Sequence, residues 1–380
     1  MKVCDCVKNS IWYDPRVRKQ ISEYKRNNID VVAVGCICPR YSKEDVDKIE
    51  CPVLLAEIPT DYYQRGLSVF KKAYRELKTN YGMYKLIKSC GADIVHANDL
   101  NALIPAYLAA KRSGMKIVYD SHEIFIENPW IAKRKWLHSL LFHIERYLIR
   151  RVDLLVNVSY AAGEYMGNLY PVKSRIVVTN CISETTVSKI KIQRKNKGFE
   201  VLNHGQFYGG RGYDVMVDSS PLISDLQDVK LVLRGFGPME ESLRDKVHQN
   251  HFNNVVFAAP VKTNELISFA SSSHVGVAIT QKICLNFELS ISNKIFEYAA
   301  AGLPVIMSDI PEHRYLNNKY HFGIVLDEDT PVCLAAAIRE LFLNHELYSQ
   351  LSENARKFSA DVTWEREFKK LLDFEFKLIA

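Results

Sequence analysis

Asn293-Lys294-Ile295-Phe296-Glu297-Tyr298-Ala299-Ala300-Ala301-Gly302-Leu303-Pro304-Val305-Ile306 runs from a short helix through its stop signal into a buried strand. Gly302 stands where a helix C-cap needs it, and Pro304 cannot continue the helix. Val305 to Met307 then reads as an apolar strand. On the helix, Lys294 and Glu297 interrupt a largely apolar body. A carboxylate early on a helix beside a crevice can hold the paired hydroxyls of a ribose, and the free N–H groups at the helix start attract phosphate. An amphipathic helix with solvated charges fits the same letters.

The helix-then-buried-strand rhythm extends through the chain. Strands are predicted at Val3–Val7, Asp30–Gly35, Val53–Ile58, Ile94–His96, Lys116–Tyr119, Leu154–Val158 and Arg175–Val178. A second set falls at Glu200–Asn203, Leu231–Arg234, Val255–Ala258, Val275–Ile279, Val305–Met307 and Gly323–Leu326. Helical patterns lie between them, among them Arg16–Asn27, Leu67–Ser89, Ala102–Ser113 and Lys133–Arg150. Near-continuous apolar strands separated by helices imply parallel sheets covered on both faces, an α/β fold. At 380 residues two domains are expected. The polar stretch Ser183–Gly198 carries no core pattern and reads as the linker, giving a first domain over 1–185 and a second from 186. Such sheets bind ligands beyond the carboxyl ends of their strands, so the cleft between two facing domains is the default site.

With 47% hydrophobic and 25% charged residues, the composition is that of a soluble globular chain. No apolar run approaches the length of a bilayer, and Met1-Lys2-Val3-Cys4-Asp5-Cys6 has no signal-peptide layout, so a cytoplasmic protein is expected. The nine Cys are expected to stay reduced. Cys4-x-Cys6 and Cys36-x-Cys38 invite a thiolate metal reading, because residues two apart on a strand share a face. Zinc sites more often use Cys-x-x-Cys, and no metal site is expected. Residues 1–185 hold 28 Lys and Arg against 20 Asp and Glu, a balance of +8; residues 186–380 hold 22 against 24, a balance of −2. The basic half points to an anionic partner. Its cations are scattered among apolar helix positions without a nucleic-acid module, which argues against nucleic acid.

Two turns in the second half carry chemistry. Val201-Leu202-Asn203-His204 leads into Gly205-Gln206-Phe207-Tyr208-Gly209-Gly210-Arg211-Gly212, a bend where backbone can approach a phosphate and Arg211 adds a forked donor. The next strand ends in Arg234-Gly235-Phe236-Gly237-Pro238-Met239. That begins a dinucleotide fingerprint, but Glu240 replaces the third Gly, which disfavours a nicotinamide or flavin enzyme, and Pro238 reads as the start of the following helix.

Taken in order, Gly205…Arg211-Gly212, Gly235-Phe236-Gly237-Pro238, Ala259-Pro260-Val261 and Asn293-Lys294…Glu297-Tyr298…Gly302-Leu303-Pro304 resemble the donor half of retaining, nucleotide-sugar-dependent glycosyltransferases of the GT-B fold, family-4 type. The first half is similar too, through Asp14-Pro15-Arg16-Val17, Val95-His96-Ala97-Asn98-Asp99, Tyr119-Asp120-Ser121-His122-Glu123 and Val177-Val178-Thr179-Asn180. The likeness spans essentially the whole chain, including Thr363-Trp364-Glu365, where such proteins return a last helix to the first domain. It implies two Rossmann-like domains facing a cleft: 1–185 with helix 364–380 on the acceptor side, and 186–363 for the donor.

The resemblance also assigns residues. Glu297 would hold the donor ribose, and Arg211 and Lys294 the diphosphate. Gly205, Gln206, Gly212, Gly235 and Asn293 would line the donor, with Val261 at the base. His122 would face the transferred sugar; a His after a buried strand can equally satisfy backbone groups. Asp14, Arg16, Asn98 and Glu123 would lie on the acceptor side. Charge developing on the leaving phosphate would be met by Arg211, Lys294 and helix N–H groups. That implies metal-independent transfer with retention, with the nucleotide-diphosphate sugar as co-substrate and no cofactor. Two departures stand out: Gln206 occupies a position the family commonly gives to Arg, and Leu289 the position of a paired Glu, with Glu288 one residue away. A sugar-nucleotide epimerase and a non-catalytic sugar-nucleotide-binding subunit are the competing readings.

Trp130-Ile131-Ala132-Lys133-Arg134-Lys135-Trp136-Leu137-His138-Ser139-Leu140-Leu141-Phe142, extended by Arg146, Arg150 and Arg151, reads as a basic amphipathic helix suited to an anionic membrane surface, or as a helix on the sheet with a solvated face. Tyr62-Tyr63-Gln64-Arg65 and Lys71-Lys72…Arg75 form a second basic-aromatic patch. On the membrane reading the acceptor is a lipid-linked saccharide or glycolipid, for cell-surface polysaccharide or glycolipid synthesis; a soluble saccharide is the other option.

Overall fold

A computed structural model of the chain describes residues 1–37, 48–58, 68–193 and 195–380. Cys38, Tyr62-Tyr63-Gln64-Arg65 and Leu67, named above, and Arg194 within Ser183–Gly198 lie outside the described residues. The chain divides into two units, Met1–Thr179 with Glu365–Ala380, and Asn180–Trp364.

The first unit is built on β1 (Lys2–Val7), β2 (Asp30–Cys36), β3 (Val53–Ala56), β4 (Ile94–Asn98), β5 (Lys116–Ser121), β6 (Leu154–Asn157) and β7 (Arg175–Val177). Among the described residues these form a seven-stranded sheet in the order β3-β2-β1-β4-β5-β6-β7. The second unit contains β8 (Phe199–Gln206), β9 (Val229–Phe236), β10 (Val255–Ala258), β11 (Val275–Ala278), β12 (Val305–Ser308) and β13 (Gly323–Leu326). They form a six-stranded sheet in the order β10-β9-β8-β11-β12-β13. Every strand pairing is parallel. The strand order reverses between β1 and β4 in one sheet and between β8 and β11 in the other, the doubly wound α/β pattern.

Local sequence explains the elements. Val3, Val95, Val118, Leu155, Leu231, Val277 and Ile306 are buried along the strands, as sheets covered on both faces require. Asp14 caps helix Pro15–Arg26, its carboxylate accepting from the N–H groups of Arg16 and Val17 at 3.1 Å. In the second unit a core of Val201, Leu231, Leu233, Val277 and Ile306 packs beneath Met216, Leu334 and Ile338 from the flanking helices.

Three local readings change. The polar stretch Ser183–Gly198 belongs to the second unit and contains helix Glu184–Lys189. It is tied down there, Gln193 N–H donating to Ser271 Oγ at 2.8 Å and Asn196 N–H to the Ser272 carbonyl at 2.9 Å. The Trp130–Phe142 stretch is two helices, Pro129–Ala132 and Lys135–Ile149, because Pro129 starts a turn that stops at Lys133. After β9, Gly237 and Pro238 form a turn and the helix starts at Glu240, not at Pro238.

The last helix, Trp364–Ile379, joins the first unit. Phe368 stands edge-on to Tyr24 at 5.0 Å, and Tyr24 Oη donates to Glu375 Oε1 at 2.8 Å. Thr179 N–H donates to Glu367 Oε2 at 3.0 Å, holding the helix where the first sheet ends.

Candidate functional site

In β8 the apolar pair Val201-Leu202 gives way at the carboxyl end to Asn203 and His204, both buried. Lys294, from helix Asn293–Ala300, reaches Asn203: its Nζ lies 2.6 Å from Asn203 Oδ1 and 4.8 Å from the centre of the Tyr213 ring. Asn203 Nδ2 in turn donates to the Arg211 carbonyl at 3.3 Å, joining helix, strand and loop. Among the described residues no carboxylate pairs with Lys294. Burial, then the neighbouring charge of Arg211, push its pKa down to about 7, with Glu297 opposing. Arg211 lies 4.3 Å above the Phe287 ring, also without a carboxylate partner among the described residues, and burial lowers its pKa. Two basic side chains thus lie close to each other with no ion-paired carboxylate among the described residues.

Glu297 projects from the same helix. Its Oε2 lies 2.7 Å from Nε2 of His204, and its side chain stays 20% exposed while that of His204 is 1% exposed. Gly205 and Gly235, paired across β8 and β9, sit at φ 124° and 146°. A Cβ on Gly235 would run into the Gly205 carbonyl oxygen, and one on Gly205 would stand 3.3 Å from Tyr213 Oη and 3.7 Å from Lys294 Cε. Glycine therefore keeps the strand end bare beside the Lys294 side chain.

The remaining donor-side expectations fall around this cluster. Gly212 caps helix Tyr213–Ser219, Gln206 ends β8 exposed, and Asn293 opens its helix, its Oδ1 accepting from Asn180 Nδ2 at 3.4 Å. Val261 is half-buried in the loop after β10 and makes no hydrogen bond to the cluster. Glu288 closes the short helix Leu285–Glu288, with Leu289 as its C-cap. Asn203, His204 and Tyr213 join the cluster without a motif of their own; the only local sequence signal is two polar letters after Val201-Leu202.

The first unit holds a second polar cluster at its own strand ends. Register places Asn98 beside Val7 and Asp120, and His96 beside Asp5 and Val118. Arg16 forks Asp120 through Nε at 2.9 Å and Nη2 at 3.0 Å, and Gln20 Nε2 donates to the same carboxylate at 2.6 Å. The Arg16 charge and His96 hold the Asp120 carboxyl well below the usual carboxylate range despite burial. His96 lies between Asp120 at 3.4 Å and the Tyr24 hydroxyl at 3.0 Å. Although burial opposes it, hydrogen bonding to Asp120 and Glu375 raises its pKa to about 10.

His122 sits above this cluster, 17% exposed, with Nε2 3.0 Å from Asn98 Oδ1 and Nδ1 3.6 Å from Asp99 Oδ2. Asn98 Nδ2 donates to Asp5 Oδ1 at 2.6 Å, so its Oδ1 is the acceptor and Nε2 of His122 carries the hydrogen. Asp99 has a left-handed backbone at φ 65° and also accepts from the His122 N–H at 3.1 Å. Of the acceptor-side expectations, Asn98 and Glu123 border His122. Asp14 and Arg16 are taken up by the fold instead, one as a helix cap and the other in a buried ion pair. Cys4 and Cys6 are core residues of β1, and among the described residues no group of three or more His, Cys, Asp or Glu is placed to hold a metal.

The profile of Glycosyltransferase Family 4 matches residues 10–182, and that of Glycosyl transferases group 1 matches residues 198–344. The chain belongs to the GT-B glycosyltransferases of family-4 type. This family-4-type glycosyltransferase is similar to the Bacillus subtilis protein EpsD, named as a glycosyltransferase, at 23% identity over 320 residues and 79% of each chain. Its fold matches that of sucrose-phosphate synthase from Thermosynechococcus elongatus, with a TM-score of 0.76, 12% identity and coverage of 100% and 99% of the two chains. It also matches Anabaena Alr3699/HepE, solved in complex with UDP, with a TM-score of 0.77, 13% identity and coverage of 99% and 100%. The first profile covers the His122 cluster, and the second covers the Arg211, Lys294 and Glu297 cluster.

Proposed function

We propose that this glycosyltransferase moves a sugar from a nucleoside diphosphate sugar to a saccharide or lipid-linked acceptor, in cell-surface polysaccharide or glycolipid synthesis on the cytosolic side of the membrane. The observation that carries the donor assignment is that Lys294, beside the bare Gly205, and Arg211 lie within electrostatic reach of each other with no carboxylate ion pair to either among the described residues. A diphosphate supplies the charge that this cluster lacks, and Glu297 is exposed enough to accept from ribose hydroxyls. HepE, which shares the fold, has been solved with UDP and with UDP-glucose.

In this reading the bond between the anomeric carbon and the diphosphate oxygen breaks while Lys294 and Arg211 hold the developing negative charge. That role needs no divalent ion, so transfer is metal-independent. The acceptor attacks from the face the diphosphate leaves, which retains configuration, and His122 serves the sugar. No cofactor takes part. Titration calorimetry with UDP, GDP and ADP tests the site: one should bind the wild type, and Glu297→Ala should weaken it about tenfold or more with the fold intact. Equal binding by Glu297→Ala would place the ribose elsewhere.

The acceptor side of the proposal rests on the first unit's surface. Helices Asp99–Ser113 and Lys135–Ile149 border a groove of about 820 Å³ lined by Ile104, Leu108, Leu140 and Ile144 with Lys111 and Arg112. Trp136 is 69% exposed, and Lys133, Arg134 and Lys135 precede or adjoin it. Apolar rings among cations suit an anionic lipid surface. Among the described residues no helix is long and apolar enough to cross a membrane. Sedimentation with vesicles containing phosphatidylglycerol should carry the protein down at low salt, and Trp136→Ala with Leu140→Ala should release it. Equal recovery with neutral phosphatidylcholine vesicles would refute an anionic-lipid preference.

A further inference from the structure

His204 is a costly residue to bury. It is 1% exposed near the end of β8, and Nδ1 is a buried atom with no hydrogen-bond partner. An apolar side chain would fill the same space without that loss. What the imidazole provides is a contact to Glu297, Nε2 to Oε2 at 2.7 Å. Its own position is fixed from the adjoining residue: the His204 N–H donates to Tyr298 Oη at 3.0 Å, and the two rings lie 4.5 Å apart. Tyr298 and Glu297 are neighbours on one helix, so strand and helix grip each other through both residues. A carboxylate only accepts, so Nε2 carries the hydrogen of this contact. Glu297 Oε1 has no hydrogen-bond partner among the described residues, and the side chain is partly exposed.

We infer that His204 is a positioning residue for the donor: by holding Oε2 of Glu297 it fixes the carboxylate so that Oε1 meets the ribose hydroxyls. The inference rests on the proposed donor site, and it sets apart the two oxygens of one carboxylate, one for the protein and one for the ligand. Ordering the carboxylate beforehand spares the ligand that loss of freedom on binding.

The test separates an effect routed through the ribose from general disturbance of the fold. UDP, GDP and ADP, and the 2′-deoxy form of each, are titrated into the full chain, its His204→Gln and His204→Asn variants, and Glu297→Gln. The Gln amide nitrogen can reach the place of Nε2, whereas that of Asn is too short. The expected result is that His204→Asn weakens the tightest ribonucleotide about tenfold, while His204→Gln stays within about threefold of wild type. The loss should shrink to about twofold or less with the 2′-deoxy nucleotide, and adding His204→Asn to Glu297→Gln should cost nothing more. Equal losses for ribo and deoxy ligands would overturn the inference, since that is the signature of a structural role. So would wild-type affinity in a folded His204→Asn protein. If Glu297→Gln itself leaves ribonucleotide binding untouched, the donor site is wrong, and the inference falls with it by a different signature.

Discussion

Lys294 finds a neutral partner inside the second unit: its ammonium lies 2.6 Å from the carboxamide oxygen of Asn203. The groups facing it are Arg211 from the loop, Tyr213 from the next helix and Glu297 from its own helix. Burial and Arg211 bring its pKa to about 7, so above that value the free protein holds this lysine largely uncharged. A diphosphate favours the charged form and draws a proton in. At pH 8 nucleotide binding should therefore take up about one proton, and at pH 6 about none. Calorimetry in buffers of different ionisation enthalpy measures this directly, and affinity should fall as pH rises above 7. Lys294→Met should abolish the uptake. The unfolded chain binds more protons than the folded one between about pH 7 and the ordinary lysine value near 10.4, so this residue makes stability rise with pH over that window.

Arg211→Ala should lower kcat by about 100-fold, because the guanidinium meets charge that grows as the diphosphate departs. Steady-state kinetics at saturating donor checks it. Unchanged kcat would move the phosphates away from the Gly205 bend.

Replacing His122 by Ala should cut kcat by about 100-fold while nucleotide affinity changes little, since the nucleotide contacts belong to the other cluster. Asn98→Ala should give a smaller loss, because it removes only the oxygen that fixes the His122 ring at 3.0 Å. Parallel turnover and binding measurements separate the two effects.

Arg16→Met should destabilise the first unit by about 3 kcal/mol or more, leaving Asp120 buried with its main counter-charge gone. Thermal unfolding followed by calorimetry should show one transition shifting down, with the other unmoved. Loss of activity without loss of stability would return Arg16 to the acceptor side.

Every strand of both sheets was legible as an apolar run, because parallel strands buried on two faces carry an unbroken signal. The turn glycines, Arg211, Lys294 and Glu297 were legible as motifs, and the fold brings them together at one strand end. Asn203, His204 and Tyr213 were not, because a polar residue ending a strand has no pattern that separates a ligand, a tether and a cap. Asp120 and Gln20 escaped for a related reason: Asp120 pairs with Arg16 and Gln20 from a helix 104 and 100 residues earlier, and pairing at that distance leaves no local trace. Asp14 shows the converse ambiguity, since a helix cap and a ligand contact call for the same side chain.

The helix Trp364–Ile379 sets the schedule on which this protein can be made. Phe368 and Glu375 complete the surroundings of Tyr24 and His96, residues that leave the ribosome hundreds of codons earlier. All of Asn180–Trp364 is translated in the interval, so the later unit has its full complement of residues first. The nascent first sheet must wait with an unfinished interior, and a stop codon ahead of Glu365 would strand it there while sparing its neighbour.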